Sequence, residues 1–364
     1  MSSSFCQNVN RSDYSKHCLM KYITVPFYHP PLYHRHQNMW QVPEMAKIIG
    51  DFGYNVDVMN YDDTTTKLTK QYDLLFDIYP QCGAVYQDNL ASDCVKVLYS
   101  TGAAPEWQNY QQTLRVEALN ARRCSSLRPK ALVQPFGSEL TSFDAMFLIG
   151  NYVTLSTYSK LPIKKVFLIK NSAYIFSEND LSQKSPHAFL YLATYPQALK
   201  GLDLLLEVFS RNPNVSLVVA GQYEAEKDFC AIYERELYYS PNILPVGVID
   251  VTTSLFEKIR RIASYVVLPS CSEGMSGSVL TAMSAGLIPI VSRECGFTDD
   301  EVFHLKDCSI SCISDLLSTL SQKPLDWVQH ESKRAADIIR SRYAPEHFSQ
   351  SFRNAMNRLL EERL

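Results

Sequence analysis

At 364 residues the chain is too long for one ordinary hydrophobic core, so two domains are expected. With 46% apolar and 20% charged residues it has a globular composition, and a net charge of −3 gives no electrostatic reason to expect nucleic acid or an anionic membrane as main partner. No apolar run approaches the roughly 20 residues of a membrane span, and the polar first ten residues lack the basic-then-apolar order of a signal peptide, which points to the cytoplasm.

Tyr22-Ile23-Thr24-Val25 is a β-branched run closed by Pro26 and reads as the first strand. Met45, Ile48, Ile49 and Phe52 fall on one face of a helix that Gly53 stops. Short apolar strands then recur at residues 56–58, 74–76, 95–98, 145–149 and 166–169. Such alternation predicts a parallel sheet with helices on both faces. Residues 171–187 lose the pattern and turn polar, which marks a linker. The rhythm restarts with a strand over 188–192 and a helix striped by Leu202, Leu205, Leu206 and Phe209. Strands over 215–220, 265–268 and 288–291 follow, and from Ser332 the tail reads as helix broken at Ala344-Pro345. The expected fold class is α/β, with two doubly wound Rossmann-like domains facing across a cleft. In such sheets ligands bind beyond the carboxyl ends of the strands.

The stretch after the strand at 265–268 carries the most chemistry. Ser270-Cys271-Ser272-Glu273-Gly274 is a polar loop, and an apolar helical pattern begins near Val279. Amides at a helix start suit a phosphate or diphosphate. Gly274 and Gly277 let the backbone approach a ligand, while Ser276 and Ser278 add hydroxyl donors. Glu273 does not suit phosphate and fits sugar hydroxyls better. A helix capped by Ser272 or Ser276 beside a solvated Glu273 accounts for the same residues about as well. Upstream, Lys200-Gly201 opens the helix at Leu202, where a cation can offset diphosphate charge, although a lone Lys is more often simply solvated.

These two loops together resemble the family 4 glycosyltransferases of the GT-B fold. The matching features run in order: Lys200-Gly201, a strand ending in Gly221, the element Val246-Gly247-Val248-Ile249, then Pro269-Ser270-Cys271-Ser272-Glu273-Gly274 and Thr281-Ala282-Met283-Ser284-Ala285-Gly286-Leu287-Ile288-Pro289. The resemblance implies a retaining, nucleotide-sugar-dependent enzyme that needs no cofactor or metal. It assigns catalysis to Glu273 and Lys200. It gives the donor to Gly274, Met275, Ser276, Gly277, Ser278, Thr281, Tyr195, Gly221, Val248 and Ile249. It divides the chain into an acceptor-side domain at 1–172, a donor-binding domain at 173–342 and a helix at 343–364 that packs back on the first. Two departures stand out. Thr281 occupies the place of the motif's second acid, which holds the nucleotide ribose in that family. Thr194 or Tyr195 occupies the place of a diphosphate-binding Arg.

The first half fits the family by architecture only, so its acceptor side is read from residue chemistry. The loop at 27–40 brings His29, His34, His36 and Trp40 to the edge of the expected cleft, and Trp107 follows a later strand. Ordinary surface packing is the plainer account of that loop. His34 and His36 lack a nearby carboxylate, so no metal is expected there. Ten cysteines without a C-x-x-C pair read as reduced, mostly buried thiols. The reading is therefore a glycosyltransferase moving a sugar from a nucleotide-sugar donor to a glycan or lipid-linked acceptor, as in polysaccharide biosynthesis. It allows peripheral contact with the inner face of a membrane and expects no nucleic acid. The alternative is a catalytically silent relative that binds a glycan or a partner protein.

Overall fold

Two sheets organise the residues that the computed structural model describes, which are 3–29 and 36–361 apart from the side chain of Cys82. The first sheet contains β1 (Phe5–Cys6), β2 (Lys16–Tyr22), β3 (Tyr54–Asn60), β4 (Tyr72–Asp77), β5 (Leu90–Ser100), β6 (Ala145–Ile149) and β7 (Val166–Ile169). Their spatial order is β1-β3-β2-β4-β5-β6-β7, parallel throughout except for the short antiparallel edge β1. The second sheet contains β8 (Ser185–Ala193), β9 (Ser216–Gly221), β10 (Ile243–Gly247), β11 (Ala263–Leu268), β12 (Ile288–Val291) and β13 (Phe303–His304). Its order is β10-β9-β8-β11-β12-β13, all parallel. Both are doubly wound arrangements, with helices on the faces as the alternating pattern requires.

The first strand lies earlier than the β-branched run implied. It spans Lys16–Tyr22, and Val25–Phe27 is instead a short 3₁₀ turn. The reason is burial. Cys18, Met20 and Tyr22 face one hydrophobic core and Leu19 faces the other. Lys21 is also fully buried, with its ammonium 5.2 Å from the ring centre of Tyr86, so a charged residue interrupts the apolar run near the strand's end.

Helix Pro345–Glu361 lies against helix Asn38–Asp51 and β7 of the first unit. Phe352 sits 5.6 Å from the Phe76 ring and 5.4 Å from that of Phe147, and Arg353 pairs with Asp51 at 2.6 Å. A second bridge joins the units behind the sheets. Helix Pro105–Arg123 projects Arg122 onto Asp203 at 2.6 Å and onto Glu207 at 3.0 Å, and Arg123 onto Glu236 at 2.6 Å. Asp203 is fully buried on helix Leu202–Phe209. Burial pushes its carboxyl pKa upward, against the opposing pull of Arg115 and Arg122.

Candidate functional site between the two sheets

The carboxyl ends of both sheets converge on one cleft of about 610 Å³. Tyr22 and Ile149, the last residues of β2 and β6, line it from the first unit; Ala193 and Gly221, the last of β8 and β9, line it from the second. Its volume falls within the usual range for small-molecule sites.

One wall is built around Lys200 and Glu273. Lys200 ends the short helix Gln197–Lys200, and Gly201 turns the chain with φ of +79°. A Cβ at Gly201 would lie 2.5 Å from the Pro269 carbonyl oxygen, so only glycine lets this turn sit against the loop after β11. The Lys200 ammonium meets a Glu273 carboxylate oxygen at 2.5 Å, with the two side chains 16% and 11% exposed. Each charge thus neutralises the other at the cleft wall.

The adjoining loop runs into helix Gly277–Ser284. Its N-cap residue, Ser276, makes no side-chain capping bond; its hydroxyl lies 3.2 Å from that of Ser278 instead. The amides of the first turn therefore have no side-chain cap, in a helix end that favours anions. Thr281, on the next turn, is buried. Its hydroxyl donates to the Gly277 carbonyl at 3.0 Å and accepts from the Gln37 amide at 3.2 Å. Gln37 also donates to the Gly277 carbonyl at 2.8 Å.

The structure brings Glu273, Lys200, Met275, Ser276, Gly277, Ser278, Thr281, Gly221, Val248, Ile249 and His36 onto the cleft. Val248 is 71% exposed, an apolar surface left open for a flat partner. His36 stays accessible at its edge, yet the surrounding protein holds its pKa below the ordinary imidazole value, with Lys200 adding to the effect.

Other candidates lie elsewhere. Gly274 is outside the lining and packs against the first unit, where a Cβ would collide with the carbonyl oxygens of Thr101 and Ile149. Tyr195 is partly exposed beside the lining residue Thr194. His29 is exposed away from the lining, and His34 lies outside the described residues. Trp40 turns its ring onto Phe348 at 5.9 Å, because its helix face packs against helix Pro345–Glu361. Trp107 borders a separate hollow of about 40 Å³ that also touches Ser272, Glu273 and Glu294. Gln37 and Thr101, which lie in the loops at 27–40 and before Trp107 but were not singled out, line the cleft from the first unit together with Gln41 and Asn171, which sequence reasoning missed. Only the polarity of the stretch around residue 37 hinted at them.

Residues 176–312 match the family described as Glycosyl transferases group 1. That stretch resembles the family, and the whole chain has the GT-B fold. Sucrose-phosphate synthase from Thermosynechococcus elongatus superposes with a TM-score of 0.64 at 10% identity, covering 95% of this chain and 99% of that one. HepE of Anabaena, solved with UDP and glucose, gives 0.58 at 10% identity over 94% and 99%. TarM of S. aureus, solved with fondaparinux, alpha-GlcNAc-glycerol and UDP, gives 0.54 at 12% identity over 77% of this chain. This GT-B chain spans 54% of the length of that protein. No curated protein matches the sequence. Among the described residues no helix is long and apolar enough to cross a membrane.

Proposed function

We propose that the protein transfers a glycosyl group, with retention, from a nucleoside-diphosphate sugar to a glycan or lipid-linked acceptor. The observation that carries this reading is the helix start at Ser276–Gly277, without a side-chain cap, beside the paired Lys200 and Glu273 in a cleft that both sheets share. Donor phosphates take the amides of the first turn, and Lys200 offsets the charge that builds on the leaving diphosphate. Glu273, released from Lys200, orients the sugar through its hydroxyls. The open side chain of Val248 and the neighbouring Ile249 receive the base. The group 1 domain and the solved UDP complexes of HepE and TarM support the donor class.

One observation favours a second reading, a catalytically silent relative that binds a glycan or a partner. The Thr281 hydroxyl already has a donor and an acceptor inside the protein, so the ribose contact expected of a second acid is weakened there. A panel of nucleoside-diphosphate sugars, with mass detection of the released nucleotide, separates the two. Turnover that Glu273→Ala abolishes supports the transferase; calorimetric silence toward every nucleotide supports the second reading.

A further inference from the structure

The loop that shapes the helix start is held from the opposite domain. Five side chains of the first unit each donate a hydrogen bond to a backbone carbonyl between residues 269 and 297. Arg115 reaches Pro269 at 3.0 Å, Thr154 reaches Gly274 at 2.9 Å, Asn171 reaches Met275 at 2.9 Å, Gln37 reaches Gly277 at 2.8 Å, and Asn151 reaches Phe297 at 3.3 Å. Thr154, Asn171 and Gln37 are all buried and come from three separate segments of the chain. Gly274 is wedged so closely between the Thr101 and Ile149 carbonyls that no side chain fits.

A trans peptide plane points its carbonyl and the next amide in opposite directions. Fixing the Gly274 carbonyl on Thr154 therefore turns the Met275 amide away from the first unit. Fixing the Gly277 carbonyl on Gln37 does the same for the Ser278 amide. Met275 and Ser278 both line the cleft. We propose that Thr154, Asn171 and Gln37 are positioning residues: they set the peptide planes of the anion-binding loop from across the cleft, so that the shape of the diphosphate site depends on side chains of the first domain. This rests on the donor reading given above and adds that the donor loop is held in shape by the domain without the donor motif.

Thr154 is the residue of choice for a test, because it holds the loop from outside the main cleft. The wild type is first titrated with a panel of nucleoside diphosphates. The tightest binder and its parent nucleoside are then titrated into the full-length Thr154→Val and Thr154→Ser variants. Loss of one hydrogen bond weakens the diphosphate about twofold to tenfold in Thr154→Val. The nucleoside, which meets Val248 and Ile249 and not the loop, keeps its wild-type affinity, and Thr154→Ser restores the diphosphate. Should Thr154→Val fail to fold, Asn171→Ala, which frees the Met275 carbonyl, is expected to give the same split. Unchanged diphosphate affinity, or equal weakening of both ligands, overturns the positioning role while leaving the donor reading intact. If no nucleoside diphosphate binds the wild type, the donor reading fails and the positioning role fails with it.

Discussion

Replacing Glu273 by Gln separates two events that the wild-type cleft couples. The Glu273 carboxylate pairs with Lys200 at 2.5 Å, and both side chains are mostly buried. A hydrogen bond to a charged partner contributes roughly 1.5–3 kcal/mol, and the solvent that still reaches this pair lowers that to about 1–2 kcal/mol. A phosphate that claims Lys200 must displace that interaction. Gln keeps the shape but not the charge, so Glu273→Gln is expected to bind a free nucleoside diphosphate about fivefold to thirtyfold more tightly. The same change removes the carboxylate that aligns the sugar, and kcat/KM for transfer is expected to fall by about 100-fold or more. Calorimetry with the nucleoside diphosphate and steady-state assay of sugar transfer read the two effects separately. Affinity and turnover falling in step would refute the reasoning, since Glu273 would then only support the loop.

Gly274→Ala places a methyl group 2.6 Å from the Ile149 carbonyl, where ordinary contact begins at 3.4 Å, and is expected to cost about 1–3 kcal/mol in urea unfolding with a matching loss of diphosphate affinity. Thr281→Glu supplies an acceptor beside the Gln37 amide and a second oxygen toward the cleft; competition binding is expected to show about a tenfold larger preference for a nucleotide over its 2′,3′-dideoxy form. Lys184 donates to the Arg260 carbonyl at 2.9 Å and the Ala263 carbonyl at 2.7 Å, and burial, aided by Arg260, pushes its pKa down from 10.5 to about 7. The unfolded chain therefore holds a proton that the native chain has released between those values. Stability is expected to rise with pH across that window by up to about 1.4 kcal/mol per unit relative to Lys184→Met, and to lose this gain as pH falls to 7, as urea titrations at several pH values would read.

The regular strands were legible because they are continuous apolar runs: β6 and β12, buried on both faces, and β7, buried on one face and half-buried on the other, lie where residues 145–149, 288–291 and 166–169 place them. β2 was misplaced because Lys16, His17 and Lys21 interrupt its hydrophobic pattern, and buried Lys21 is accommodated by the distant Tyr86 ring and the charge of Asp77. β1 and β13 have two residues each, too few to show any period. In the site, Lys200 and Glu273 were singled out by the resemblance of their two loops to a known family, since local loop chemistry left both open as solvated residues, and the structure places both on the cleft. Their direct pairing was not legible, since 73 positions separate them. The contacts of Thr154 and Asn171 with the loop span 120 and 104 positions, and nothing in their own neighbourhoods marks them. Trp40 shows the converse error, an aromatic residue suited to sugar stacking that serves a helix packing contact instead.

The ion pairs behind the sheets bear directly on how the loop is held. Asp203 and Glu207 are buried on the second unit, and Arg122 and Arg123 reach them from the C-terminal turn of helix Pro105–Arg123, where cations also complement the helix dipole. Separating the domains would break the pairs that Asp203 and Glu207 make with Arg122 and Arg123, leaving Glu207 with Tyr233 and Arg211 of its own unit, so these pairs favour the joined arrangement. That bias toward closure keeps Thr154, Asn171 and Gln37 within reach of their carbonyls before any ligand arrives. It also gives the departures from the donor motif a physical setting. Without the second acid or the Arg, the loop depends more heavily on amide geometry, and that geometry is set by side chains of the first domain. A substitution at Arg122 should therefore weaken nucleotide binding even though Arg122 is not among the residues lining the cleft.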